Sequence, residues 1–357
     1  MKTLKLLRLG AGERLERLLC RALAGVPAEA AALTDAECGL DGSRILFALH
    51  IDEYGAEESL HTLLRSLRRS PGALRGSVCG GNAISNMMAK NLEGVDFVVA
   101  NTAAQALALA VSLAGGLLPG KPLVEGTGSL YNQHIAAKNL GISLEEAYFT
   151  RAADLVRRVL MFEPPKFAAP RLLMLHASGN RQSNTVWMGR EVLRRLPEPF
   201  RSREISLQNG TIFDCRGCSY DACLHFAEQN RCFYGGAITE EVLPAVQESD
   251  ALLLLCPNFN DAVSANITAF FNRLTNLLVL RDLSEKYVFA IVVSGYSGSD
   301  LVARQILGAM SMNKGAILPP QFCLMQTAND PGSAQKSEGI AGRLDTFAAH
   351  IARTLLP

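Results

Sequence analysis

The run Ala-Leu-Leu-Leu-Leu-Cys at residues 251–256 limits what this chain can fold into more than any other stretch. Six consecutive apolar residues with no polar alternation have no solvent face. A strand built from them must be covered on both sides, as a central strand of a parallel sheet is covered by helices. The surrounding sequence repeats what such a sheet needs. Short runs at 172–176, 204–207, 251–256, 288–293 and 321–325 alternate with segments of helical spacing at 186–196, 240–248, 266–278, 300–310 and 339–356. This alternation predicts a doubly wound α/β domain around a five-stranded parallel sheet of order 2-1-3-4-5.

With 357 residues the chain exceeds what one hydrophobic core usually serves, so two domains are expected. The first half also alternates, with strands expected at 45–50, 75–79, 97–100 and 123–125 and helices at 57–67, 84–92, 103–113 and 144–162. Residues 1–8 carry charges inside a short apolar stretch, and 10–21 alternate acids and bases at helical spacing. This reads as an amphipathic opening helix and not a signal peptide. The connection 163–170 contains three prolines and cannot continue a helix. The boundary is therefore placed there, giving an α/β domain at 1–165 and a second at 166–357. A faint internal echo links the halves. Phe-Val-Val-Ala-Asn-Thr at 97–102, a helix and Pro-Gly-Lys-Pro-Leu-Val at 119–124 parallel Ile-Val-Val-Ser-Gly-Tyr at 291–296, a helix and Pro-Pro-Gln-Phe-Cys-Leu at 319–324.

Charge and hydropathy exclude several function classes. Lys and Arg number 35 against 34 Asp and Glu, which leaves no basic field for nucleic acid and no acidic tail. No uninterrupted apolar run reaches membrane-spanning length. A soluble cytoplasmic protein acting on a small molecule is expected.

The chemistry begins where the strand at 172–176 runs into Ala-Ser-Gly-Asn-Arg-Gln-Ser-Asn-Thr at 177–185, just before a helix. Free backbone N–H groups at a helix start, with Ser178, Ser183, Asn184 and Thr185 as further donors, suit the phosphate of a ligand. A well-capped turn explains the same residues if nothing else converges on them. Neither a GxGxxG nor a GxxxxGK[ST] pattern is present, which disfavours an ordinary dinucleotide fold and an NTPase. In a sheet of this order a ligand sits at the carboxyl ends of the strands beside the switch point. The third strand ends in Pro257, Asn258, Phe259, Asn260 and Asp261, and the fourth in Ser294, Gly295, Tyr296 and Ser297. These two turns offer backbone donors and one aromatic ring each, as a flat heteroaromatic ligand requires. In the first half, residues 50–55, 79–82 and 125–129 read as strand-terminating turns, with no nucleophile and base among them.

The loop at 177–185 resembles the Gly-Ser-Pro-Arg-Lys-x-Ser-Asn-Thr loop of the NAD(P)H-dependent FMN reductases and related iron–sulfur flavoproteins. Cys-Pro-Asn-Phe-Asn-Asp-Ala-Val-Ser at 256–264, followed by Ala-Phe-Phe-Asn-Arg-Leu at 269–274, is similar to their Ser-Pro-Val-Tyr-x-x-x-x-Ser segment and the helix after it. The resemblance implies a flavodoxin-like fold from about Arg171 to Leu355, FMN as cofactor, NAD(P)H as electron donor, a small-molecule electron acceptor and a homodimer. It further implies that Ser178, Arg181, Ser183, Asn184 and Thr185 hold the FMN phosphate. Residues 257–261 and 294–297 would then edge the isoalloxazine. Asn180 stands where the family commonly has Arg, and Asn258 and Asn260 replace apolar or aromatic residues. Hydride transfer to a flavin needs no side-chain acid or base, so no catalytic residue is assigned.

Cys215, Cys218, Cys223 and Cys232 fall where that family places its Cys-x-x-Cys insertion. Their spacing admits an iron–sulfur cluster, a zinc site with or without His225, a redox pair of Cys215 and Cys218, or plain thiols packing a loop.

Overall fold

The computed structural model describes residues 2–32, 40–51, 58–85, 100–179, 182–208, 211–229 and 231–357. It divides into two compact units, Met1–Glu163 and Pro164–Pro357.

The C-terminal unit follows the expected alternation. Its elements are β6 (Arg171–His176), α6 (Asn184–Arg195), β7 (Arg201–Ser206), α7 (Tyr220–Ala227), α8 (Leu243–Glu248), β8 (Ala251–Pro257), α9 (Ala265–Leu278), β9 (Tyr287–Ser294), α10 (Ser299–Leu307), β10 (Cys323–Thr327) and α11 (Ile340–Leu355). The strands run parallel in the order β7-β6-β8-β9-β10, which is 2-1-3-4-5 counted within the unit. Residues 251–256 have no solvent exposure, as an apolar run with no polar face requires. Edge strand β7, Arg-Ser-Arg-Glu-Ile-Ser, is exposed at its first four residues, and such charged edges oppose pairing with another chain.

Two details depart from the sequence reading. The segment expected as one helix from 240 begins as a π-helical turn at Ile238–Val242 and becomes α-helical only at Leu243. Pro244 follows that π-helical turn closely, so its missing N–H falls where the helix changes its bonding pattern. The cysteine insertion also contains a helix, α7, capped by Ser219, whose side chain accepts from the Ala222 N–H.

The N-terminal unit contains β1 (Leu4–Leu9), α1 (Glu13–Ala22), β2 (Ala28–Ala31), β3 (Arg44–Ile51), α2 (Glu58–Arg69), β4 (Val78–Ser85), α3 (Ala100–Leu113), β5 (Leu123–Gly126), α4 (His134–Leu140) and α5 (Leu144–Met161). Its parallel sheet has the order β2-β1-β3-β4-β5, again 2-1-3-4-5. The chain therefore consists of two α/β domains of flavodoxin-like topology.

The opening stretch corrects the sequence reading. Residues 4–9 form the first strand, and helix α1 starts only at Glu13. Leu4, Leu6, Leu7 and Leu9 are buried, while Lys5 pairs with Glu29 and Arg8 with Glu16. Six residues are too few for periodicity to separate strand from helix. The short edge strand β2, Ala-Glu-Ala-Ala, was not expected, because its residues favour helices. It exists through its pairing with β1. Cys79, Gly80, Gly81 and Asn82, read as a turn, lie inside β4. A Cβ on Gly80 would come within 2.6 Å of Val159 Cγ2, so glycine there lets α5 pack close to the strand. Of the expected strand 97–100, only Ala100 is described, and it begins α3. Of the expected helix 84–92, only Ile84 and Ser85 are described, and they end β4.

The internal echo extends to backbone geometry. Leu117 bridges Val78, the first residue of β4, and Ile317 bridges Tyr287, the first residue of β9. Gly115 and Gly315 have φ of 95° and 86°, and Lys121 and Gln321 have φ of 52° and 46°. The two connections approach their last strands through the same elbow. The first connections differ. Between β1 and α1 lie only residues 10–12, and the first turn of α1 carries Glu13 and Glu16, so two carboxylates stand where an anion would sit.

Candidate functional site: a cleft at the switch point

The site lies at the carboxyl end of the second sheet, where β6 and β8 are neighbours but their connections leave on opposite sides. After His176 the chain turns through Ala177 to Ser183. Ser183 is extended (φ −61°, ψ 121°), and its Oγ accepts from the Val186 N–H at 3.4 Å, which starts α6. Its Oγ also lies 3.0 Å from the Oγ1 of buried Thr185. Asn184 is committed elsewhere. Its Nδ2 donates to the Asp330 carbonyl at 2.9 Å and its Oδ1 accepts from the Ala334 N–H at 3.1 Å, tying the helix start to the loop after β10.

The loop after β8 is fixed by Asn258. Its backbone N–H donates to the Val293 carbonyl at 2.8 Å. Its side chain donates to the Ser297 carbonyl at 2.9 Å and accepts from the Asp261 N–H at 2.7 Å. Asn260 and Asp261 have φ of 53° and 59°, so the chain reverses and Phe259 and Ala262 exchange two backbone bonds of 3.2 Å. Asn and Asp tolerate the left-handed region better than most residues. Across this loop Gly298 has φ 83°, and a Cβ there would collide with Asp261 Oδ1. Ser294 is buried, with its Oγ 2.7 Å from Ser299 Oγ, and Tyr296 stands 85% exposed.

These loops enclose a cleft of about 330 Å³. Of the residues singled out in the sequence, Ser178, Ser183, Asn184, Thr185, Pro257, Asn258, Phe259 and Gly295 line it. Asn260, Asp261, Ser294, Tyr296 and Ser297 are not among its lining residues; Asp261 and Ser297 shape its rim through Asn258. Asn180 and Arg181 lie outside the described residues. The sequence reading missed the fourth wall. Gln182, Ala328, Asn329 and Pro331 also line the cleft, and a Cβ on Gly295 would lie 2.7 Å from Asn329 Oδ1. The turn residues at 329–332, directly after the fifth strand, were the available signal.

Beneath the first loop, burial holds His176 below the ordinary histidine value, against the opposing pull of its hydrogen bond to Glu204. Burial likewise lowers His350 in α11, whose Nε2 has no hydrogen-bond partner. The folded protein keeps both rings neutral where the unfolded chain protonates them, so the unfolded state binds more protons below about pH 6.5. Stability of the flavin-free protein is therefore expected to be flat above that pH and to fall as pH drops through it. Each histidine contributes up to about 1.4 kcal/mol per pH unit. Melting temperatures between pH 7.5 and 5.5 check this, and a rise on acidification would contradict it.

The insertion rests on the polar face of α9. Asn272 donates to Asp214, Asn276 to the Arg231 carbonyl, and buried Arg273 to the carbonyls of Phe213 and Gly235 and to Thr239 Oγ1. Cys215, Cys218, Cys223 and Cys232 all line one second cleft of about 500 Å³, alongside Tyr220, Phe226, Phe233 and Tyr234. Burial raises the Cys223 thiol against the opposing pull of its hydrogen bond to Asn276, and Cys215, Cys232 and Cys218 push it further up, so those three sit within electrostatic reach of Cys223. Among the described residues, however, no group of three His, Cys, Asp or Glu side chains stands in a metal-holding arrangement. His225 packs edge-on against Phe226.

A parallel 2-1-3-4-5 sheet with a hydroxyl-rich helix start at its switch point defines a flavodoxin-like ligand-binding domain. More particularly, residues 170–330 match the family model of the NADPH-dependent FMN reductases, so the C-terminal half contains a domain of that FMN-binding, NAD(P)H-using family. Similar solved structures include an FMN-dependent NADH-azoreductase from Bacillus anthracis str. Ames Ancestor in complex with FMN. It is 12% identical with a TM-score of 0.36, over 51% of this chain and 99% of that one. Another is an NAD(P)H:quinone oxidoreductase from Methanothermobacter marburgensis, 16% identical with a TM-score of 0.39, over 52% of this chain and 98% of that one. Likenesses at these scores add nothing to the sheet order itself. Cell division protein FtsZ 2 of Rhizobium meliloti (strain 1021) is 76% identical over 29 residues. That segment spans 8% of this chain and 8% of that protein, which is too short to be a domain. Among the described residues no helix is long and apolar enough to cross a membrane.

Proposed function

We propose that this protein is an NAD(P)H-dependent FMN oxidoreductase that passes electrons to a small-molecule acceptor and works as a homodimer. The observation that carries the reading is the cleft itself. The loop after β6, the loop after β8, Gly295 and the turn at 328–331 converge on one space of small-ligand size. Its residues fit a flavin phosphate, since the hydroxyls of Ser178, Ser183 and Thr185 line it at the start of α6, where backbone N–H groups are available. Of the amides expected to serve, Asn184 and Asn258 are spent on shaping the walls. Bound FMN would supply the hydride chemistry between nicotinamide and acceptor. The chain's own part is to orient it, with Gly295 letting Asn329 pack close on one side and half-exposed Phe259 standing at the edge. The absorption spectrum of the purified protein tests the reading. Flavin bands that bleach on adding NADH or NADPH are expected, and protein that neither retains nor rebinds FMN would refute it.

A second reading passes the electrons to an iron–sulfur cluster held by Cys215, Cys218, Cys223 and Cys232. The shared cleft favours it, and the lack of a metal-holding arrangement among the described residues opposes it. Iron with acid-labile sulfide in anaerobically purified protein, lost in Cys218→Ser, would support it. Four freely titrating thiols would remove it.

The N-terminal unit, with its three-residue first connection and acidic helix start, is assigned no flavin of its own. It serves the acceptor site or assembly. Residues 164–357 expressed alone are expected to bind FMN, and a soluble fragment without flavin affinity would end this division of labour.

A further inference from the structure

The insertion between β7 and α8 leaves its aromatic side chains outside any core. Ala227 is the only buried residue among those described at 211–237. Phe233 is 70% exposed and Tyr220 66%, and exposed apolar groups gathered in one place mark a binding surface. These rings are gathered. Phe226 and Phe233 stand 5.6 Å apart, centre to centre, and Phe233 meets Tyr234 edge-on at 5.2 Å. With Tyr220 and Val279 they wall the cleft of about 500 Å³ that the four cysteines also line, a volume of ordinary small-ligand size. It shares no lining residue with the flavin cleft. Its contacts with α9 start at Arg273, eight residues beyond Ala265, the first of that helix. At about 1.5 Å of rise per residue this is about 12 Å along the axis from the loop that walls the flavin cleft.

The charged side chains lining this cleft do not cancel. Two guanidinium groups, Arg216 and Arg273, stand against one carboxylate, Asp214. Asp214 Oδ1 is taken by the Asn272 side chain at 2.9 Å and the Cys215 N–H at 2.7 Å. Arg273 is almost wholly buried, yet its acceptors are the Phe213 and Gly235 carbonyls and Thr239 Oγ1, all of them neutral. A charge taken out of water is ordinarily matched by an opposite one. Arg216 lies over the Tyr234 ring, 5.9 Å from its centroid, and no carboxylate among the described residues pairs with it. Aromatic walls favour a flat ring, which stacks or meets them edge-on, and the guanidinium fork matches a planar carboxylate. We propose that the insertion cleft is a binding site for a small aromatic carboxylate, its ring held among Tyr220, Phe226, Phe233 and Tyr234 and its carboxylate on Arg216. The unmatched charge of Arg273 adds to the attraction. The site is separate from the flavin cleft and does not depend on the flavin reading.

Calorimetric titration of the full chain with 2-naphthoate, in the presence of excess FMN, tests this. One site per chain is expected. The uncharged 2-naphthalenemethanol and the aliphatic decanoate should each bind at least about tenfold more weakly. Arg216→Gln should lose at least about tenfold in 2-naphthoate affinity and keep its affinity for 2-naphthalenemethanol, whereas Phe233→Ala should weaken both. Both side chains are exposed, so neither substitution reaches the core. Should a variant still fail to fold, limited proteolysis of the native protein gives a second measurement. Cleavage around Phe226 and Phe233 is expected to slow with 2-naphthoate and not with decanoate. The proposal is overturned if 2-naphthoate does not bind, if it binds native protein and Arg216→Gln equally, or if decanoate binds as tightly. Equal affinity in the variant would place the aromatic acid elsewhere, and equal affinity for decanoate would make the cleft a plain apolar surface.

Discussion

Replacing Ser183 and Thr185 together with alanine is expected to weaken FMN binding at least tenfold and to leave riboflavin binding nearly unchanged. Both hydroxyls line the cleft at the start of α6, 3.0 Å apart. Each hydrogen bond to a charged group is worth about 1.5–3 kcal/mol, and every 1.4 kcal/mol is about a factor of ten in affinity. The substitution also removes the cap of α6, since Ser183 Oγ accepts from the Val186 N–H. A stability loss of about 1 kcal/mol should accompany the affinity loss. Fluorescence titration with FMN and urea denaturation of the same variant separate the two effects. Asn184→Ala makes a useful contrast. Its side chain ties α6 to the loop after β10, so the expected loss is mainly in stability. Undiminished FMN affinity in the double variant would remove the loop from the site.

Arg273→Met is expected to have the largest effect on stability, with the damage concentrated in the cysteine insertion. The guanidinium is buried to 3% exposure and donates to Phe213 O, Gly235 O and Thr239 Oγ1, at the two ends of the inserted segment. Ala227 is the only buried residue among those described at 211–237, so the insertion has almost no core of its own and depends on such ties. Losing a charged donor shared by three acceptors should cost about 3 kcal/mol in urea denaturation. It should also open the segment to proteases around Phe226 and Phe233 while the sheet stays folded. Asn272→Ala, which removes one exposed bond to Asp214, should cost less than about 1 kcal/mol. Equal protease resistance in the native protein and Arg273→Met would show that the insertion holds itself together.

The alternation of apolar runs with helical segments at 171–356 was enough to specify the second sheet, because a fully apolar strand such as 251–256 can be satisfied only between two helical layers. The same signal was weaker in the first half. Residues 4–9 carry Lys5 and Arg8 among leucines, and it is the pairing of β1 with β2 and β3, with both charges left part-exposed, that makes this six-residue run a strand. Gly80 of β4 looked like part of a turn because the helix that needs its missing side chain, α5, lies far along the chain. Likewise the first, third and fourth strand ends were legible as walls of the cleft, since their turn residues follow apolar runs directly. The wall formed by Ala328, Asn329 and Pro331 was not, and neither was the diversion of Asn184, Asn258 and Ser294 into structural bonds.

By itself, then, the sequence determined the period of the elements, the place of the anion loop and the grouping of four cysteines in one insertion. Those features depend on neighbours along the chain, where backbone geometry and capping act over a few residues. The tertiary structure alone decided which polar side chains stay free for a ligand and which are consumed in holding the loops. It also decided that His176 is buried against Glu204, and that the four thiols share a cleft although, among the described residues, no group of three His, Cys, Asp or Glu side chains stands in a metal-holding arrangement. The physical reason is that hydrogen-bond competition and burial are settled by residues distant in sequence that folding brings together, such as Glu204 and Arg190 around His176.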